Sequence, residues 1–274
     1  MTTLIMGATG NVGGALLRQL REAGADVRAV VRPPERLSGA DVVAGDFDEP
    51  ETIASAARGV RAAFLIGGRR DLPGLLSVLK TAGVERVVLL GSRSVIGRVP
   101  GNAIADMWAA AETDMRASGL AWTILRPSGF MPNVLRWRPQ LATGDVVRVA
   151  FADVPIAAID PEDIAAVAAA ALTRPELAGQ HLELSGPEAL LPATQLALIG
   201  QALGRPLRLD PLDGAAARAE LASVFPPVFV EAQLGFFERG EFDDARIAPT
   251  VRQLLGRPPR TFAQWLAAHR TQLA

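Results

Sequence analysis

Several residue types are missing or scarce in this 274-residue chain, and each absence removes a class of chemistry. There is no cysteine, so disulfide bonds, thiolate catalysis and cysteine-ligated zinc are excluded, and no metal site is predicted. There is no tyrosine, Lys80 is the single lysine, and His181 and His269 are the two histidines. The chain therefore has few side chains suited to exchanging a proton near neutral pH.

An excess of charge and a long apolar run are also absent. The chain has 28 basic and 29 acidic residues, which gives a formal net charge of −1 and no electrostatic reason to expect nucleic acid or an anionic membrane as a partner. No stretch reaches the roughly 18 consecutive apolar residues of a membrane-spanning helix, and the N-terminus does not read as a secretion signal. A cytoplasmic location and a small-molecule substrate are expected.

Short apolar runs alternate with amphipathic stretches over the first half of the chain. Each run is unbroken and rich in Val, Ile or Leu, as in parallel strands that are covered on both faces. Gly24, Gly59, Gly83 and Gly119 each end a helical stretch shortly before a strand, where glycine readily adopts the left-handed conformation that closes a helix. The pattern predicts an α/β fold with a doubly wound parallel sheet. Strands are predicted at Thr3–Met6, Val27–Val31, Val42–Ala44, Ala62–Ile66, Arg86–Leu90 and Trp122–Leu125.

Past residue 126 the pattern is less regular, and prolines are frequent. Further strands are predicted at Pro155–Ile159 and His181–Leu184. Asp160 is a suitable N-cap and Pro161 suits the first position of a helix, so a helix is predicted there, buried because residues 164–172 are almost wholly apolar.

The strongest local signal is a glycine-rich turn at residues 7–13, GATGNVG, between a predicted strand and an amphipathic helix. Glycines in this position allow a tight turn and a close approach of backbone N–H groups to a pyrophosphate, which the N-terminus of the helix also attracts. A purely structural turn is the alternative interpretation. The turn predicts dinucleotide binding, with contacts from Gly7, Thr9, Gly10, Asn11, Val12 and Gly13.

The spacing of these glycines and several later stretches resemble one family. The stretches are VVRP at 30–33, GDF at 45–47, LLGS at 89–92, SGLAWTILRP at 118–127, FMPN at 130–133 and GRPPRTF at 256–262. Together they resemble the NmrA-like, atypical branch of the short-chain dehydrogenase/reductase superfamily, which includes NAD(P)H-binding quinone oxidoreductases. The resemblance implies a single Rossmann-type unit over 1–274. About 1–150 would be the dinucleotide-binding core, and about 151–274 an extension with a smaller C-terminal, substrate-side subdomain.

The end of the second strand predicts NADPH as the cofactor. An NAD-specific site has a carboxylate there, whereas this chain has Arg32, followed by Arg36. A guanidinium can bind a 2′-phosphate with two hydrogen bonds, although solvated surface arginines are the alternative. The resemblance places Asp46 and Phe47 at the adenine.

Residues after the fourth, fifth and sixth strands complete the expected site, because doubly wound sheets bind ligands at the carboxyl ends of their strands. Gly67 would pass close to the cofactor ribose, and Ser92 would touch cofactor and substrate. The resemblance places Pro127 and Phe130 in the nicotinamide pocket, Phe130 also contacting substrate. Asn133 could offer an amide to the substrate, although plain loops and turns would explain several of these residues as well.

The catalytic residues stay unknown at this level. Better-known members of the superfamily use tyrosine, lysine and serine, and only Ser92 has a counterpart here. Asp106, Glu112 and Asp114 share a helical stretch that a solvated face explains, and a solvent-facing side chain is expected for His181. No serine has the flanking glycines of a hydrolase nucleophile elbow.

Two function classes remain open. The first is an NADPH-dependent reductase that transfers hydride to a small electrophile such as a quinone or an activated alkene, whose reduced form needs no strong protein acid. The second is a non-catalytic NAD(P) sensor, and a protein partner is expected only in that case. Consumption of NADPH discriminates between them.

Overall fold

The computed structural model describes residues 2–32 and 41–273. Within these ranges the strands are β1 (Thr2–Met6), β2 (Val27–Val31), β3 (Asp41–Ala44), β4 (Val60–Ile66), β5 (Arg86–Leu90), β6 (Ala121–Pro127), β7 (Val146–Ala150), β8 (Gln180–Leu184) and β9 (Arg208–Leu212). Seven of these described strands form one parallel sheet in the order β3-β2-β1-β4-β5-β6-β8. The predicted doubly wound α/β fold is confirmed.

Helices cover both faces of this sheet. In chain order the helices of the described ranges are α1 (Asn11–Glu22), α2 (Ala54–Ala57), α3 (Leu72–Thr81), α4 (Ala103–Ala117), α5 (Arg138–Leu141), α6 (Pro161–Thr173), α7 (Pro192–Leu203), α8 (Gly214–Ala222), α9 (Pro227–Phe237), α10 (Thr250–Leu255) and α11 (Phe262–His269). Helices α1 and α6 pack together on one face, and α3 and α4 lie on the other. No helix of the described ranges is long and apolar enough to cross a bilayer.

Neighbouring residues of the central strands enter opposite hydrophobic clusters. Ile5 and Phe64 point to the cluster under α1 and α6, whereas Leu4 and Leu65 point to the cluster under α3 and α4, and all four are 0% exposed. Burial on both faces explains why these strands read as continuous apolar runs. Gly24, Gly59, Gly83 and Gly119, which precede strands, have positive φ as predicted.

The strand order reverses at β1, which lies between β2 and β4. The connections that leave the carboxyl ends of β1 and β4 therefore run to opposite faces of the sheet and leave a crevice between them. Ligands bind in such crevices in open α/β sheets.

The chain between β6 and α6 leaves the sheet and returns beside its own starting point. The Ile159 N–H donates to the Gly129 carbonyl at 2.8 Å, and the Met131 N–H donates to the Ile159 carbonyl at 3.0 Å. These hydrogen bonds close the neck of the excursion, which we define as residues 129–159. Its strand β7 pairs in parallel with β9, and a separate core around Trp137 and Trp265 packs there.

Two expectations for this half differ from the structure. The prediction of a strand at Pro155–Ile159 is wrong. This stretch instead forms two isolated β-bridges, from Ile156 to Leu190 and from Ile159 to Phe130. The β7–β9 pair was not predicted. Asp160 does cap α6, because its side chain accepts a hydrogen bond from the Glu162 N–H at 2.9 Å. Both α6 and β8 lie beyond residue 150 and complete the helix layer and the sheet, while the division of the chain at about 150 stays a prediction.

Candidate cofactor and substrate site

The glycine-rich turn joins β1 to α1 at the crevice. Gly7 has φ +68°, and its carbonyl accepts a hydrogen bond from the Gly10 N–H at 2.9 Å. Within the described ranges, no side chain hydrogen-bonds the N-terminus of α1, so the N–H groups of its first turn are left for a ligand. Such a terminus suits an anion, and the pyrophosphate of a dinucleotide fits the arrangement.

Gly10 and Gly13 have different roles in this turn. A Cβ on Gly13 would lie 2.2 Å from the Gly7 carbonyl oxygen, so α1 can approach β1 this closely only with glycine there. A Cβ on Gly10 would meet the same oxygen at 3.3 Å, a tight contact that a small adjustment can relieve. Gly13 is therefore needed for packing, whereas a side chain on Gly10 mainly takes up space beside the crevice.

Arg32 and Asp46 lie at the ends of β2 and β3 and face each other. Their closest atoms, Arg32 Nη1 and Asp46 Oδ2, are 3.5 Å apart, and 60% of the Arg32 side chain is exposed. The pKa of Asp46 is lowered mainly because the Asp48 N–H donates to its carboxylate at 2.9 Å, with a further contribution from Arg32. Arg36 lies outside the described residues.

Phe47 is 5% exposed and packs in the cluster with Leu4, Met6, Val30 and Ile53. Its ring is mainly part of the core beneath the β2–β3 end of the sheet. Its predicted contact with adenine stays a prediction.

Gly67 and Ser92 follow β4 and β5. A Cβ on Gly67 would lie 2.9 Å from the ring of Trp108, so this glycine lets the chain pass close to α4. The Ser92 Oγ lies 2.9 Å from the Ser94 Oγ and accepts a hydrogen bond from the Ser94 N–H at 3.2 Å. The hydroxyl of Ser92 is half-buried and is held by its own turn.

A cavity of about 450 Å³ opens next to the end of β6. Phe130 and Asn133, both predicted to bind substrate, line it, while Ser92 and the buried Pro127 are not among its described lining residues. Most of the wall is apolar. Its hydrophobic members include Phe130, Val134, Ala150, Phe151, Val154, Ile156, Leu221, Val224, Phe225 and Phe237.

Asp244 also lines this cavity, and the sequence analysis missed it. Its side chain is 4% exposed, and the Gly129 N–H donates to its Oδ2 at 2.9 Å. Burial raises the pKa of Asp244 to about 7, although the hydrogen bond from Gly129 and the nearby Arg93 oppose this. Asp244 is thus a carboxyl group that can hold a proton near neutral pH in the wall of the cavity.

Arg93 was missed as well. It follows Ser92 and is 1% exposed, and none of its side-chain nitrogens has a hydrogen-bond partner among the residues that the structure describes. Its Nη1 lies 3.9 Å from Asp244 Oδ1, and its Nη2 lies 4.0 Å from Glu183 Oε2. Burial lowers the pKa of Arg93, and the two carboxylates oppose that effect. No local sequence pattern indicates either residue, because they meet only in the folded chain.

Glu112 corrects another expectation. The solvated face predicted for its helix is wrong at this position, since Glu112 is 2% exposed and Arg126 binds both of its carboxylate oxygens at 2.7 and 2.8 Å. His181 is half-buried rather than solvent-facing, 3.5 Å from Glu112, with its ring edge against Trp122. Burial lowers the pKa of His181, and Arg126 adds to this shift. Glu112, Arg126 and His181 thus connect α4 with β6 and β8, and none of them is among the described residues that line the cavity.

Fold and site together define a Rossmann-type protein with a crevice between β1 and β4 and an apolar cavity at the same edge of the sheet. A family model described as NAD(P)H-binding matches residues 7–175. The chain belongs to this NAD(P)H-binding family, in the NmrA-like branch of the short-chain dehydrogenases/reductases.

Named relatives extend over nearly the whole chain. The (4-alkanoyl-5-oxo-2,5-dihydrofuran-3-yl)methyl phosphate reductase of Streptomyces griseus is 39% identical over 274 residues, covering 97% of each chain. The NAD(P)H azoreductase of Xenophilus azovorans is 30% identical over 280 residues, again with 97% of each chain covered. The solved structure of the NADPH-dependent quinone oxidoreductase QOR2 of Escherichia coli has a TM-score of 0.79 and 25% identity, covering 98% of this chain and 99% of that one. These comparisons group the chain with the oxidoreductases of its family.

Proposed function

We propose that this protein is an NADPH-dependent reductase that transfers hydride to a conjugated small molecule, such as a quinone or an activated alkene. The observation that carries the proposal is the apolar cavity at the end of β6, which opens at the same edge of the sheet as the crevice in a fold whose family binds NAD(P)H. In this arrangement a flat, apolar acceptor in the cavity would lie next to a bound dinucleotide.

The preference for NADPH over NADH rests on Arg32. Its exposed guanidinium at the end of β2 can donate hydrogen bonds to a 2′-phosphate. The E. coli relative named above is NADPH-dependent, and the Xenophilus relative is named for NAD(P)H, so both cofactors occur among similar proteins. Gly7, Gly10 and the first turn of α1 would hold the pyrophosphate.

The substrate class rests on the wall of the cavity and on the residues that the chain lacks. Without tyrosine, and with Lys80 donating to the Ser118 carbonyl at 2.9 Å, the chain has no Tyr–Lys pair to protonate a basic alkoxide. A conjugated acceptor spreads its charge after hydride addition and so needs a weaker acid. Among the described residues that line the cavity Arg136 is the one cation, which suits an acceptor with an anionic group. The Streptomyces relative acts on a phosphate ester of an unsaturated lactone.

A steady-state panel tests the proposal. Purified protein is assayed for NADPH consumption with quinones, enones, butenolides with and without a phosphate, and simple ketones. We expect turnover of the conjugated acceptors and poor turnover of the ketones. Ser92→Ala should lower kcat only modestly, since Ser94 already binds that hydroxyl. Efficient reduction of an unactivated ketone that Ser92→Ala abolishes would contradict the mechanism. Tight binding of NADPH without turnover of any acceptor would instead favour the sensor.

A further inference from the structure

We propose that Asp244 is the catalytic acid of this site, and that its carboxyl group gives a proton to the substrate after hydride transfer. The inference rests on the proposed reductase function and names the proton donor that the reaction requires. It places the donor on the segment between α9 and α10, far along the chain from the glycine-rich turn.

The position of Asp244 carries the argument. The Gly129 N–H, two residues past the end of β6, donates to Asp244 Oδ2 at 2.9 Å, and the Ala157 N–H donates to the Asp244 carbonyl at 2.8 Å. These hydrogen bonds fix the carboxyl group at the neck of the excursion, on the side of the cavity that adjoins the sheet. Asp244 Oδ1 is buried and has no hydrogen-bond partner within the described ranges.

The competing acid in the cavity lies elsewhere. Among the described lining residues Glu220 is the other carboxylate, and it belongs to α8 rather than to the neck of the excursion. It has Arg136 as its charged neighbour. Asp244 is held against the loop that follows β6, at the carboxyl edge of the sheet, the edge at which open α/β sheets bind their ligands.

The charged groups around Asp244 suit a carboxyl that alternates between two protonation states. Arg93 faces it from the turn after β5, at 3.9 Å, and Glu183 of β8 lies on the far side of Arg93. On its own segment Asp243 raises the pKa of Asp244, and Arg246 forms an ion pair with Glu183. The neutral form is favoured by burial, and the carboxylate left after proton transfer is stabilised by the Arg93 guanidinium.

The chemical balance is simple. Bound NADPH supplies the hydride and is oxidised to NADP⁺, and the acceptor is reduced by these two electrons. The new C–H bond leaves a negative charge on the conjugated oxygen, which takes the proton as the O–H bond of Asp244 breaks. The Asp244 carboxylate regains a proton from solvent before the next turnover.

Asp244→Asn is the decisive variant, because an amide keeps an oxygen for the Gly129 N–H but cannot supply an acidic proton. We expect kcat with an enone to fall by about 10²- to 10⁴-fold, the usual contribution of a general acid. The loss with a quinone should be smaller, because its reduced anion is less basic. The Kd for NADPH should stay within about twofold of the wild-type value. Asp243→Asn is the matched control, since Asp243 is an exposed carboxylate on the same segment. Its kcat should match wild type at pH 5, where Asp244 is protonated with or without the neighbouring charge, and its loss of activity should only begin at a lower pH than in wild type.

The wild-type protein gives a second readout that requires no variant to fold. Its kcat should fall as the pH rises through about 7, because only the protonated carboxyl is active, and this dependence should be missing from Asp244→Asn. In the protein without substrate, infrared spectroscopy should show a protonated carboxyl at pH 6 that Asp244→Asn removes.

The outcomes separate the two proposals. If wild type reduces no acceptor, the proposed function fails and this inference fails with it. If wild type is active and Asp244→Asn is equally active, only the role of Asp244 is refuted. The same holds if the kcat of wild type does not decrease as the pH rises through about 7. Equal losses with the enone and the quinone, together with weaker NADPH binding, would also refute it, because they would show a structural ion pair with Arg93.

Discussion

Reversing the charge at Arg32 should reverse the cofactor preference. A charge-assisted hydrogen bond from Arg32 to a 2′-phosphate contributes about 1.5–3 kcal/mol, which corresponds to roughly 10- to 100-fold tighter binding of NADPH than of NADH. The structure points to the lower end of this range, because 60% of the side chain is exposed and the Asp46 carboxylate lies 3.5 Å away. We therefore expect roughly a tenfold preference in wild type.

The Arg32→Glu variant should bind NADPH more weakly than wild type does, because a carboxylate at the end of β2 repels the 2′-phosphate. It should bind NADH more tightly than NADPH, because the carboxylate can accept hydrogen bonds from the ribose hydroxyls. Asp46→Asn should act in the opposite direction. It removes the anion that competes for Arg32 while keeping a side-chain oxygen for the Asp48 N–H. The preference for NADPH should then exceed that of wild type.

The assay is a fluorescence titration of both reduced cofactors at low and high ionic strength, with circular dichroism to verify folding. Raising the salt concentration should weaken the preference, since the contact is exposed. Equal Kd values for the two cofactors in wild type, or an Arg32→Glu variant that still prefers NADPH, would refute the assignment of Arg32.

Four further variants test the turn, the cavity wall and the core. Gly10→Val should abolish NADPH binding and keep the circular dichroism of wild type, whereas Gly13→Val should unfold the protein, because its Cβ meets backbone at 2.2 Å. Burial of Asp244 raises its pKa to about 7, so wild-type stability should fall as the pH rises from about 4 to 7, by up to about 1.4 kcal/mol per unit. The melting temperature of Asp244→Asn should therefore exceed that of wild type at pH 8 but not at pH 4. Arg126→Met should lower the free energy of unfolding in urea by about 3 kcal/mol, because it leaves the Glu112 carboxylate buried without its main partner. A loss below about 0.5 kcal/mol would mean that this pair behaves as a surface pair.

The sheet could be predicted from the sequence because its signals are local. Each central strand is buried on both faces, so its apolar run is unbroken, and the glycines with positive φ mark where helices end. The turn at residues 7–13 was recognised for the same reason, since strand, glycines and helix follow one another directly. By contrast, β9 contains Pro211 and none of its residues is buried, so the sequence has no apolar run that would indicate its pairing with β7.

The acidic residues could not be placed because their environments depend on distant parts of the chain. Asp244 and Gly129 are 115 residues apart, and no pattern around Asp243-Asp244 indicates a buried carboxyl. Glu112 has the spacing of an exposed helix face but meets Arg126 on a neighbouring strand. In both cases one long-range contact reverses the meaning that the local sequence suggests.

The hydrogen bonds at the neck of the excursion have a consequence for how substrate range can change. Residues 129–159 begin and end at one point of the framework, where Gly129, Met131 and Ile159 bind one another. Changes between 132 and 155 that keep the pairing of β7 with β9 and the packing of Trp137 in the core with Trp265 should therefore leave the register of β6 and the start of α6 unaltered. We expect that this segment could be exchanged between related proteins as a module. The graft would bring a new cavity wall and keep the cofactor crevice of the recipient.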